Sequence, residues 1–111
     1  MMPGEKVIIR ERKTFQNYVN TNPFVIVKVS ATWCGPCKRC SPCVEKCYKQ
    51  MPQNVNMVLL DADDCADVCS YLKIKSIPTL ITYVNGKPDN YLVSSKEDDI
   101  IDFFQQILNS N

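Results

Sequence analysis

The chain has 111 residues, with 13 Lys and Arg against 12 Asp and Glu, no His and a formal charge of +1. This length supports one domain over residues 1–111 with a single core, and the dispersed, balanced charge leaves no footprint for nucleic acid or an anionic membrane. No apolar run can span a bilayer, the start Met1-Met2-Pro3-Gly4-Glu5-Lys6 lacks the apolar stretch of a secretory signal, and seven cysteines cannot all pair, so a reducing, cytoplasmic setting with free thiols is expected.

In chain order, residues 7–10 read as a short edge strand. A helix over about 14–19 follows, with Phe15, Tyr18 and Val19 as its apolar stripe, broken by Thr21-Asn22-Pro23. Residues 24–30 are almost wholly apolar, as in a central strand covered on both faces. The next helix is predicted from 34 to about 50, ending before Pro52. A second buried strand over 56–61 and a short helix over 64–71 come next. Strands over 79–84 and 91–93 flank Asn85-Gly86, a hairpin signal. Residues 96–108 form an amphipathic helix with Ile100, Ile101, Phe103, Phe104, Ile107 and Leu108 apolar and Ser95 as N-cap. The order β-α-β-α-β-α-β-β-α implies an α/β fold: a central mixed sheet with helices on both faces.

The most informative segment is Trp33-Cys34-Gly35-Pro36-Cys37-Lys38. It places a dithiol at a strand-to-helix junction, where unpaired N–H groups and the positive end of the helix dipole favour a thiolate. A thiolate is the attacking species in thiol–disulfide exchange, and a second sulfur three residues on can close the disulfide. Cys-x-x-Cys beside a βαβ pattern is a redox signature. The same pair could be half of a zinc site, but zinc needs four ligands and the chain has no histidine. Cys37, Cys40, Cys43 and Cys47 also fit C-x2-C-x2-C-x3-C, a ferredoxin-like spacing, with Tyr48 where a proline would follow. The competing reading places Cys40, Cys43, Val44 and Cys47 at i, i+3, i+4 and i+7, the buried stripe of a helix, and no metal is expected. Pro78 by itself reads either as an ordinary strand-start proline or as a cis residue.

Three stretches in this order resemble the thioredoxin family across nearly the whole chain: Ser30 to Lys38 with its Cys-Gly-Pro-Cys centre, then Ser76-Ile77-Pro78-Thr79, then Asn85-Gly86. Pro42 stands where that family carries a helix-kinking proline, and Asp63-Asp64-Cys65-Ala66-Asp67-Val68 is similar to its animal-type members. The resemblance implies a thioredoxin fold and reduction of protein disulfides. It makes Cys34 the exposed nucleophile and Cys37 the more buried resolving thiol. Trp33, Gly35, Pro36 and Lys38 would form the active-site turn, Trp33 lying against the site. Pro78 would be a cis-proline facing the dithiol, with the Ile77 backbone offered to substrate. The resemblance further implies disulfide-containing protein substrates, a thioredoxin reductase as electron source, no cofactor beyond the Cys34–Cys37 disulfide, and a monomer.

The chain departs from that pattern at several positions. Lys28 replaces a buried Asp thought to relay protons for the resolving cysteine, in phase with Phe24 and Ile26 and opposite Val25, Val27 and Val29. It could act as a neutral base, stabilise a Cys37 thiolate and make the couple more oxidising, or snorkel to solvent. Leu59 stands where a lysine often accompanies that Asp, so both halves of a charge pair are absent. Val93 replaces a glycine of the substrate groove. Cys65 and Cys69, at i and i+4, share a face near the rim of the site and are candidate regulatory thiols or neutral surface ones. These departures leave a second reading, a binding or redox-sensing module with weak turnover.

Overall fold

The computed structural model describes residues 3–110. It contains β1 (Lys6–Ile8), α1 (Arg12–Thr21), β2 (Phe24–Ser30), α2 (Gly35–Tyr48), β3 (Val55–Asp61), α3 (Ala66–Tyr71), β4 (Thr79–Val84), β5 (Lys87–Val93) and α4 (Glu97–Ser110). The five strands form one sheet in the order β1-β3-β2-β4-β5, a thioredoxin fold. β3 pairs in parallel with both β1 and β2, whereas β4 runs antiparallel to β2 and to β5.

Alternation along β2 builds the two halves of the core. Phe24 and Ile26 face α2 and α4, joining Val44, Tyr48, Met57, Phe103 and Phe104. Val25, Val27 and Val29 face the other way, toward Phe15, Val19, Val58 and Val68 of α1, β3 and α3. A strand sandwiched between two helical layers has no polar face, which explains its apolar run.

The observed element ends refine the sequence reading. β1 starts at Lys6 and stops at Ile8 rather than running to Arg10, and Ile9 then turns inward, its N–H donating to the Leu59 carbonyl at 3.3 Å. β5 begins at Lys87, not Tyr91, because Pro88 is tolerated on an edge strand beside the register shift at Thr82/Tyr83. Asn85 and Gly86 both have positive φ, 52° and 83°, as a two-residue hairpin with the strands' own twist requires. The hydroxyl ahead of α4 is that of Ser94, not Ser95. Its oxygen accepts from the Lys96 N–H and its proton goes to Asp99.

Candidate active site

β2 ends at Ser30, and residues 31–34 turn directly into α2, with the Cys34 N–H donating to the Ala31 carbonyl at 3.2 Å. Cys34 is the N-cap of α2 in extended conformation. Its sulfur accepts the backbone N–H of Cys37 at 3.2 Å, and its carbonyl accepts from the Lys38 N–H at 3.1 Å. Pro36 lies in the first turn, where an absent N–H leaves no intrahelical bond unmade. Cys34 and Cys37 are joined as a disulfide, with Cα atoms 5.3 Å apart. The helix start thus directs an amide at the first sulfur of the pair, an arrangement that favours its thiolate once the bond is reduced.

One expectation fails here. The resemblance implies an exposed Cys34 beside a more buried Cys37; Cys37 is buried, but in the oxidised pair Cys34 is equally so, each being only 4% exposed. Both cysteines pack among Ala31, Ala62 and Ile77, apolar neighbours that close over the bond. The two cysteines differ in hydrogen bonding rather than in exposure.

Around the dithiol, the Ile77–Pro78 peptide is cis, with Pro78 buried and Ile77 packed on the disulfide cluster. The Thr79 hydroxyl donates to the Ser76 carbonyl at 2.6 Å, bracing that loop. Val93 pairs in register with Thr79, one residue after the proline, and its side chain is exposed. Trp33 is 66% exposed rather than packed as a wall; its Nε1 donates to Asp63 at 2.9 Å, which pins the indole across the loop after β3. Lys38 is exposed, whereas Arg39 folds back so that a Cβ on Gly35 would meet its guanidinium at 3.3 Å. Sequence reasoning missed Asp63 and Arg39 as site neighbours. Arg39 lies one turn after Gly35 and was legible as such, but the Asp63 contact needs β3 beside β2.

Lys28 sits on the α2 side of the sheet, half-buried, in register with Leu59 on one side and Leu80 on the other. Its Nζ reaches Ser41 Oγ at 3.5 Å, and among the described residues it has no carboxylate within ion-pair distance. Burial pushes the Cys40 thiol up, and the Lys28 ammonium pulls it partly back. The Lys28 charge therefore acts on Cys40, the second cysteine of α2, whose Sγ donates to the Cys37 carbonyl at 3.5 Å.

Cys37, Cys40, Cys43 and Cys47 lie along one continuous helix, with Cys37 bonded to Cys34. That is a helical stripe, not a loop wrapped around a cluster. Cys40 is buried, while Cys43 and Cys47 are half-buried. A partly exposed Cys65–Cys69 pair is not found: Cys65 is 1% exposed, and its Sγ donates to the Ile9 carbonyl at 3.1 Å. Burial raises the pKa of both thiols; a backbone hydrogen bond from Asp61 pulls Cys65 partly back, whereas Cys65 and the Asp61 charge push Cys69 further up. Neither has the electropositive surroundings of a reactive thiol.

A family model described as Thioredoxin matches residues 6–106. Thioredoxin-1 of Saccharomyces cerevisiae is 38% identical over 73 residues, 66% of this chain and 70% of that protein. A bifunctional thioredoxin reductase/thioredoxin of Mycobacterium leprae is 29% identical over 93 residues, covering 84% of this chain and 20% of that one. Among solved structures, oxidised thioredoxin from Plasmodium falciparum superposes with a TM-score of 0.79 at 27% identity, over 96% of this chain and 98% of that one.

Proposed function

The chain belongs to the thioredoxin family and is a thiol–disulfide oxidoreductase, and from that premise we propose how its residues divide the work. Cys34, as thiolate, attacks one sulfur of a protein disulfide. A Cys34–substrate bond forms, and the other substrate sulfur leaves as a thiolate that takes up a proton. Cys37 then loses its proton and attacks Cys34 Sγ, which releases the second substrate thiol and leaves the Cys34–Cys37 disulfide. Two electrons from a reductase restore the dithiol. The order of attack rests on one observation: the Cys34 sulfur, at the N-cap of α2, receives the Cys37 N–H at 3.2 Å.

Gly35, Pro36 and Lys38 shape the turn, and the Ile77 backbone ahead of the cis Pro78 offers an edge for an extended substrate segment. Val93, exposed beside that edge, narrows the choice of substrate. The reductase is a thioredoxin reductase, of the kind that the M. leprae relative carries in the same polypeptide by its name. No group beyond the protein's own disulfide enters the cycle. The described residues contain no helix long and apolar enough to cross a membrane; a monomer in a reducing, cytoplasmic setting fits five free thiols.

A trapping experiment tests the assignment. Reduced Cys37→Ser, mixed with insulin, accumulates a mixed disulfide that dithiothreitol releases, whereas Cys34→Ser accumulates none. An adduct on the Cys34→Ser chain alone would reverse the two roles. A second reading, a more oxidising couple with weak turnover, draws on Lys28, whose ammonium lies under α2 with Ser41 as its hydrogen-bond partner. Lys28→Asp shifts the reduction potential or the rate of resolution; no change in either leaves Lys28 a spectator.

A further inference from the structure

Five cysteines of the chain are free, and two of them share a groove. Cys43 and Cys47 are one turn apart on α2, where i and i+4 side chains stand roughly 5–6 Å apart at Cβ. Their side chains interact, each half-buried. The groove between α2 and α4 encloses about 410 Å³, and Lys46, Met51, Phe104 and Leu108 also line it. Met51 is 1% exposed and is the third sulfur-bearing residue of that lining.

We propose that Cys43 and Cys47, with Met51 as the third sulfur ligand, bind a soft monovalent cation, copper(I), in the α2–α4 groove. Thiolate and thioether ligands suit copper(I) and are poor ligands for hard, oxygen-seeking cations, although Gln50, Glu97 and Gln105 also line the groove. Two thiols and a thioether also fall short of the four thiolates of an iron–sulfur or structural zinc site. The metal must displace the thiol protons, so binding weakens as pH falls. Each thiol gives up one proton, no atom changes oxidation state, and the resulting site carries one net negative charge. Lys46, in the same lining, meets that charge. Phe104 and Leu108 supply the apolar part of the α4 wall.

The test uses the full chain with Cys34–Cys37 oxidised, so that the redox pair cannot compete. Under anaerobic conditions the protein is titrated against the coloured copper(I)–bicinchoninate complex. The expected result is withdrawal of one copper(I) per chain, with a thiolate-to-copper band in the near ultraviolet. Alkylation mapped by mass spectrometry then shows Cys43 and Cys47 protected in the unsubstituted protein, a readout that needs no variant. Cys43→Ser and Cys47→Ser each weaken binding by at least about tenfold, Met51→Leu weakens it less, and Cys69→Ser leaves it unchanged. No withdrawal of copper(I), undiminished withdrawal by the doubly substituted Cys43→Ser/Cys47→Ser chain, or protection at Cys65 and Cys69 instead would overturn the site.

Discussion

The two ends of α2 carry the same residue type and treat it in opposite ways. At the first turn, Cys34 caps the helix, its sulfur receives an amide N–H, and Cys37 closes a disulfide with it. At the last turn, Cys47 is a free thiol whose ionisation is opposed by burial and by Cys43, with only Lys46 acting in its favour. Neither exposure nor composition separates them, since Cys34 is the more buried of the two. The difference is the direction of the backbone. Unpaired N–H groups surround sulfur at one end, and at the other the carbonyls and the negative end of the dipole leave a thiolate unfavoured. Reactivity here belongs to the helix position more than to the cysteine.

The largest effect comes from removing the N-cap sulfur. Cys34→Ser is expected to drop insulin reduction by a reductase or dithiothreitol to the uncatalysed rate, while Cys47→Ser keeps the full rate. Equal losses in the two variants would erase the contrast between the helix ends. A smaller effect tests whether the far end is structural. The Tyr48 hydroxyl, buried at the last residue of α2, donates to the Val55 carbonyl at 2.9 Å and lies 3.2 Å from the Glu5 carbonyl. Tyr48→Phe removes the hydroxyl's bonds, while the Val55 and Glu5 carbonyls keep the backbone N–H groups of Gly4 and Met57 as donors, and should cost about 1 kcal/mol of stability in urea denaturation, with disulfide reduction unchanged. A loss of turnover matching the loss of stability would tie the far end to catalysis after all.

Much of this arrangement was legible in the residues. The apolar run at 24–30 and the strand at 79–84 agree with the observed bounds because each is set by burial on both faces and by a flanking breaker. The thioredoxin fold followed from the order of elements and the family resemblance. What escaped were features set by the far side of a contact. The exposure expected of Cys34 failed because Ala31, Ala62 and Ile77, distant in sequence, close over the sulfur pair. Trp33 was placed against the site, whereas Asp63 across the loop draws its indole outward. Cys65 was put near the surface, but Ile9, 56 residues earlier, supplies the carbonyl that takes its thiol inward. Lys28 was identified as the odd charge in the central strand, yet its neighbour Ser41 became visible only once α2 lay over the sheet.

The smallest predicted effect probes the far end by pH alone. The Cys47 thiol has its pKa raised from 9.0 to about 11, first by burial and then by Cys43. Burial raises Cys40, Cys65 and Cys69 in the same direction. In the unfolded chain these thiols ionise near their ordinary value, while in the folded chain they hold their protons. Raised values therefore stabilise nothing extra below 9.0 and favour the unfolded state above it, so stability is lost as pH climbs from 9.0 toward about 11. Tyr48, raised by burial from 10.0 to about 12, adds to the decline only above 10.0. Urea midpoints of the oxidised, anaerobic protein across the interval from 9.0 to 10.0 consequently report the thiols. The expected outcome is a falling midpoint for the unsubstituted chain and a shallower fall for Cys47→Ser. A variant at Cys37 offers no such comparison, because a disulfide sulfur has no proton to lose. If Cys47→Ser falls as steeply as the parent, the alkaline loss arises at Cys40, Cys65 and Cys69, and the last turn of α2 opposes ionisation no more than the unfolded chain does.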